Sequence, residues 1–203
     1  MKIFKKKNAD ESNTKAPIKN GKPYVVGIAG GTQSGKSTFT KELENALSDV
    51  KIKTFHMDDY YKPRKQQPKA KGPIANKEYI DSNQPDALEF NQLRVDIRTA
   101  IDEKVAALII VEGTMILYDD TIRSMLDLKL YVDARADERV VRYIETYSKY
   151  YGKDFVRNSY LDLVRYRIDE YVEPTKWMAD IILNGSSMSK RAVEIIKAYL
   201  ASC

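Results

Sequence analysis

Residues 24–37 read Tyr24-Val25-Val26-Gly27-Ile28-Ala29-Gly30-Gly31-Thr32-Gln33-Ser34-Gly35-Lys36-Ser37. The first six form a short apolar, partly β-branched run that stops at a glycine pair, the pattern of a buried strand feeding a tight turn. Residues 30–37 then match G-x-x-x-x-G-K-[ST] at every fixed position. Beyond Gly35, the side chains of Phe39, Leu43, Leu47 and Val50 recur near i, i+4, i+8 and i+11, one face of a helix. A glycine-rich turn between strand and helix lets successive backbone N–H groups close around phosphate oxygens, and the helix N-terminus adds partial positive charge. Gly30, Gly31, Thr32, Gln33, Ser34, Gly35, Lys36, Ser37 and the following Thr38 are therefore the expected phosphate-binding residues. Lys36 is expected to reach the β- and γ-phosphates, and the Ser37 hydroxyl to ligate Mg²⁺.

Outward from this turn the chain alternates strands and helices. Lys51–His56 reads as a second strand, broken by Asp58-Asp59. Residues 62–85 hold four prolines, one glycine and six basic side chains without a sustained period, the composition of a long loop that acts as a lid or binding segment. Asp86 opens a helix with Leu88, Leu93, Ile97 and Ile101 on one face. Ala106–Val111 is a buried strand ending at Glu112-Gly113, and Leu128–Val132 another, ending at Asp133. Helical periods follow at Val140, Ile144, Tyr147 and Tyr151, then at Leu161, Val164, Ile168 and Tyr171. A strand at Ile181–Leu183 and a helix from Met188 to Leu200 close the chain. Unbroken apolar strands separated by helices imply an α/β fold of the P-loop NTPase type, a parallel five-stranded sheet with helices on both faces. One domain over residues 23–203 is expected, with lid segments at 62–85 and 139–158, after a basic tail at residues 1–22.

Composition narrows the function classes. With 43% hydrophobic and 31% charged residues, 9 Gly and 7 Pro, the chain is a globule rather than a disordered or collagen-like polymer. Its longest uncharged apolar run, Val105–Val111, is far short of the roughly 20 residues that span a bilayer. The basic N-terminus lacks an apolar segment behind its lysines, so neither membrane insertion nor secretion is expected, and the cytoplasm is the expected location. A single cysteine, Cys203, and a single histidine, His56, leave no Cys/His metal cluster. The formal charge of +5 resides in residues 1–23, where seven lysines face Asp10 and Glu11 and the rest of the chain balances. A neutral body argues against a nucleic-acid partner and leaves the tail as a solvated extension. Homo-oligomerisation stays open.

Transfer of a phosphoryl group to an alcohol needs a carboxylate to take the hydroxyl proton and oxygen ligands for Mg²⁺. Ligands of open α/β sheets sit at the carboxyl ends of the strands, where Asp58, Asp59, Glu112 and Asp133 lie. Asp58 and Glu112 can supply these roles, with Asp58 also counted as a metal ligand. Asp133 could instead cap the next helix.

Gly30–Ser37, Met57-Asp58-Asp59-Tyr60-Tyr61-Lys62-Pro63, Gln84-Pro85-Asp86-Ala87, Val111-Glu112-Gly113, Asp133 with Ala136–Arg139, and Glu173-Pro174-Thr175-Lys176 with Ala179-Asp180 occur here in the order of the uridine kinase/phosphoribulokinase family. The chain resembles that family from about residue 24 to 200. The resemblance implies a kinase with MgATP as donor and the 5′-hydroxyl of a nucleoside, uridine or cytidine, as small-molecule acceptor. It implies that Asp58 and Lys36 are catalytic, that Tyr61 lies near the nucleoside and Glu112 near magnesium, and that Arg139 and Arg142 are lid arginines approaching the phosphates. The pattern departs at three places. The family's β-hairpin between helix and V-E-G strand has no room in Asp102–Val105. Asn83 stands where the family has a ribose-binding aspartate, so Asp86 is an alternative ribose ligand. Thr146, Tyr147 and Tyr151 occupy lid positions elsewhere held by arginine, leaving Lys149 and Lys153 as substitutes. The hairpin-free layout also resembles nicotinamide riboside kinases. A nucleotide-binding regulatory module without transfer activity is the rival from another class.

Other residues are expected to be structural. His56 reads as a strand-end hydrogen-bonding residue, Trp177 as a core side chain, and the tyrosines of 143–171 as helix-face cover. Tyr60 and Tyr61 are the exceptions, because they adjoin Asp58. Segment 62–85, with Tyr79 and its lysines, is expected to cover the acceptor's base.

Overall fold

A computed structural model describes residues 18–19, 21–187 and 190–203. In chain order the elements are β1 (Ile18–Lys19), β2 (Lys22–Ala29), α1 (Lys36–Ala46), β3 (Ile52–His56), β4 (Lys69–Lys71), β5 (Glu78–Ile80), α2 (Phe90–Asp102) and β6 (Leu108–Glu112). Then follow α3 (Asp120–Met125), β7 (Leu128–Asp133), α4 (Ala136–Tyr151), α5 (Lys153–Ser159), α6 (Arg165–Tyr171), β8 (Ile181–Asn184) and α7 (Lys190–Ser202). The main sheet runs β3-β6-β2-β7-β8 with every neighbour parallel, as the five apolar runs predicted. β1 adds an antiparallel pairing, Ile18 with Pro23 and Lys19 with Lys22, so sheet pairing starts ahead of residue 23. The remainder of the basic tail lies outside the described residues.

Alternation along the strands divides the core in two. Val25, Ala29, Ile109, Val111 and Tyr131 face the side covered by α2, α3 and α6. Tyr24, Val26, Ile28, Ile110 and Val132 face α1 and α7. Residues one position apart point to opposite faces of a strand, so a continuous apolar run buries both faces at once.

The structure departs from the sequence expectations in several places. Pro85–Ala87 form one 3₁₀ turn, Leu88 is extended and bridges Tyr61, and α2 begins only at Phe90 rather than at Asp86. α3 was not expected; Asp119 caps it by accepting from Ile122 N at 2.8 Å. Segment 62–85 is not a plain loop but carries a hairpin, with Lys69 opposite Ile80 and Ala70 opposite Tyr79. Asp133 does not cap α4; its carboxylate pairs with Lys176. Trp177 is 81% exposed on the 3₁₀ turn Glu173–Met178 and takes no part in the core.

Candidate active site

The parallel sheet delivers three groups to one end. β2 runs into the glycine turn and α1, β3 into Asp58, and β6 into Glu112. Gly30, at φ +144°, passes so close to the Val132 carbonyl that a Cβ would overlap it, and Gly35 starts α1 at φ +100°. Only glycine takes both conformations freely. Lys36, on the first turn of α1, is nearly buried and donates to the Gly31 carbonyl at 3.1 Å. Burial lowers its ammonium below the usual lysine value, against the opposing pull of Glu112 and Asp58.

Glu112 joins two elements of the site. Its Oε1 accepts from the Ser37 hydroxyl at 3.1 Å, while its Oε2 lies 2.9 Å from His56 Nδ1. His56 sits directly opposite Glu112 in the β3–β6 register, which explains the contact. The sequence reading left His56 out of the site; no spacing rule links a residue to one 56 positions away before the strand order is known. Asp58 opens onto the same cleft. Partial burial raises its carboxyl above the ordinary range, with Glu112 and Asp59 adding to the shift and Lys36 and His56 opposing it.

A cavity of about 470 Å³ extends from this polar end. Thr32, Gln33, Lys36, Ser37, Asp58 and Glu112 line the polar end. Tyr61 and Asn83 line its sides, and burial together with the nearby Asp58 carboxylate raises the Tyr61 phenol. Asp86 is exposed and outside the cavity, because the 3₁₀ turn at Pro85 carries it away. Thr38 is exposed on α1 and does not line the cavity, and Ser34 is fully buried beneath the turn. Tyr60 turns from the cleft and donates to Asp96 at 2.8 Å. Tyr143, Tyr147 and Tyr151, read from sequence as helix cover, face the cavity instead.

The two lid arginines do not line the cleft. Arg139 is 5% exposed, bonds Glu173 at 2.8 Å and the Ala134 carbonyl at 3.1 Å, and packs so closely under Gly31 that a Cβ there would overlap its guanidinium. Arg142 donates to the Gln33 and Gly185 carbonyls, each at 3.2 Å. Gln33 holds a left-handed φ of 62°, so Arg142 braces a strained position of the turn. Both arginines therefore support the phosphate loop from behind. The cavity's arginine is Arg64, from the segment ahead of the hairpin. Lys149 and Lys153 are exposed and line no part of it.

The residues present suit a nucleotide with Mg²⁺. Lys36 has three donors and uses one on Gly31, among the described residues, leaving others for phosphate oxygens. Ser37 and Glu112 offer a hydroxyl and a carboxylate within 3.1 Å of one another, hard oxygen ligands of the kind Mg²⁺ takes alongside phosphates and water. Among the described residues no group of three or more His, Cys, Asp or Glu could hold a metal without such help, and no helix is long and apolar enough to cross a membrane.

The model of the Phosphoribulokinase / Uridine kinase family matches residues 98–193. A uridine kinase from Clostridium botulinum (strain Kyoto / Type A2) is 33% identical over 204 residues, covering 88% of this chain and 96% of its own. One from Staphylococcus aureus (strain JH9) is 34% identical over 204 residues, covering 88% and 95%. Among solved structures, TT1252 from Thermus thermophilus superposes with a TM-score of 0.54 at 19% identity, over 89% of this chain and 97% of that one, a likeness of fold alone.

Proposed function

The chain belongs to the phosphoribulokinase/uridine kinase family, and from that premise we propose that it transfers the γ-phosphoryl group of MgATP to the 5′-hydroxyl of a nucleoside, uridine or cytidine. The kinase class comes with the family; the donor, acceptor and residue roles are this reading. The observation that carries it is the convergence of Lys36, Ser37, Asp58 and Glu112 on one cleft.

Asp58 takes the proton of the attacking hydroxyl, and its raised pKa brings it nearer the operating pH, where a general base is most effective. Lys36 offsets the charge on the β- and γ-phosphoryl oxygens from a fixed, desolvated position, where such interactions are strong. Ser37 and Glu112 would hold Mg²⁺, which neutralises phosphate charge when bound. His56 orients Glu112 through its ring nitrogen, leaving the other carboxylate oxygen toward Ser37. Arg139 and Arg142 maintain the loop's shape. Tyr61 and Asn83 flank the acceptor's sugar, with the Asn83 amide able both to donate and to accept.

The test is nucleotide product formation from uridine and MgATP by the full chain, with Lys36→Ala alongside. Transfer by the wild type and its loss in a folded Lys36→Ala variant are expected. Undiminished turnover in that variant would remove residues 30–37 from the reaction, and absence of any phosphorylated riboside would defeat the proposal.

A further inference from the structure

Aromatic rings line the cleft from the neighbourhood of Gln33 outward. Tyr143, Tyr147 and Tyr151 recur at i, i+4 and i+8 along α4, and Phe155 continues the row beyond Gly152 into α5. Tyr79 joins it from the hairpin. Ring centroids are 4.7 Å apart for Tyr143 and Tyr147, 6.4 Å for Tyr151 and Phe155, and 6.2 Å for Phe155 and Tyr79. All five line the cavity. Tyr151 and Phe155 are 51% and 42% exposed, although the packed core lies within reach of the same helices. Arg64 holds its guanidinium carbon 5.7 Å from the Tyr151 ring centre.

Polar groups able to read the edge of a base are largely spent along this wall. Gln67 donates to the Lys62 carbonyl at 2.8 Å and accepts from the Ser82 hydroxyl at 2.7 Å, so both halves of its amide are engaged within the protein. The Ser159 hydroxyl is likewise spent on the Val156 carbonyl at 3.0 Å, so apart from Asn83 beside the sugar and the tyrosine hydroxyls, the described lining there is aromatic and aliphatic surface with Arg64. Exposed rings beside charged groups mark a ligand with an apolar face and a reactive polar end.

We propose that the acceptor's base stacks on the Tyr147–Tyr151–Phe155 wall with Arg64 beside it, so that the protein selects ribosides by the flat face of the base and not by its hydrogen-bonding edge. This rests on the nucleoside-kinase reading above. Every base has a π-face, so stacking adds affinity with little discrimination. A pocket that leaves no buried polar group unpaired against the wrong base separates ligands by about 100-fold at most.

The test uses the full chain with MgATP and with uridine, cytidine and free ribose as acceptors, together with calorimetric binding of uridine in the presence of a non-hydrolysable ATP analogue. Tyr151→Leu and Phe155→Leu keep apolar bulk but remove a ring. Each should raise the KM and Kd for both nucleosides by about 5- to 100-fold, the range expected for loss of one stacking partner. The ATP KM and the Tm should hold, and whatever turnover ribose supports should not respond. Tyr151→Phe, which restores the ring, should bring the nucleoside KM back toward the wild-type value. Nucleoside KM and Kd within twofold of wild type in both leucine variants would overturn the wall, as would a sharp preference for one base that persists in them. If the wild type binds uridine without phosphorylating it, the transfer reading fails while the Kd values still judge the wall; if it binds no uridine, both fall.

Discussion

In its proposed role as the base, Asp58 comes at a cost to the ligand-free fold. Its pKa is raised in the folded chain by burial, then by Glu112 and Asp59. The unfolded chain gives up this proton at lower pH, so near neutrality the ionised carboxylate opposes folding. Below the ordinary aspartate range both states hold the proton and the penalty vanishes. Asp58→Asn should therefore raise the Tm of the ligand-free protein at neutral pH, with the gap over wild type closing as the pH is lowered. The same variant should reduce kcat by about 100-fold or more with a smaller effect on the ATP KM, because an amide cannot take the proton. Steady-state kinetics and thermal melts across pH check both; a large loss in Asp59→Asn instead would move the base by one position. The phosphate loop was legible because its chemistry fixes residue types at set spacings. Asp86 was not, since one 3₁₀ turn decides whether a carboxylate faces the cleft, and His56 gains its partner only from strand order.

One carboxylate ties the 62–85 segment to the helical stretch just beyond the expected 139–158 lid. Tyr160–Val164, between α5 and α6, is a π-helical stretch, and it carries Asp162, buried against the hairpin turn. Asp162 Oδ1 accepts from Ile74 N at 2.8 Å and Ala75 N at 3.1 Å, and Gly72 passes so near that a Cβ there would overlap it. Burial alone would raise this carboxyl, but the two backbone donors hold it below the ordinary aspartate value. The tie is therefore fully present above the ordinary aspartate range and is lost as the pH falls through the lowered pKa. Asp162→Ala should speed hydrogen exchange at the Ile74 and Ala75 amides and raise the acceptor KM more than the ATP KM; unchanged exchange at both amides would refute the tie. Helix α4 was legible from its period, yet period alone does not say whether a tyrosine stripe meets a core or a cavity. The hairpin escaped notice because each strand has only three residues, half of the six are charged, and Tyr79 is the one among them that is buried.

A parallel five-stranded sheet was readable because the central strands β2, β6 and β7 are apolar runs buried on both faces; the order β3-β6-β2-β7-β8 was not, since the edge strands β3 and β8 are only partly buried and strand order depends on contacts distant in sequence. α3 was missed, being six residues long and defined chiefly by the Asp119 cap. Among the described residues both cores and the cleft are drawn from Tyr24 onward, and exposed charge contributes little to stability. Deleting residues 1–17 should leave kcat and Tm near their wild-type values; a marked fall in either would show that the lysine-rich segment docks on the body. Trp177 did not join a core because the Glu173–Met178 turn buries Thr175 and leaves the indole outward, 81% exposed, with the Lys176 ammonium 5.8 Å from its ring centre. It is the chain's sole tryptophan. Indole fluorescence from this protein should therefore report on neither the cleft nor the interior: its emission should be that of a fluorophore in water and change little on unfolding, and a blue shift with shielding from a soluble quencher would signal a molecule lying over the Glu173–Met178 turn.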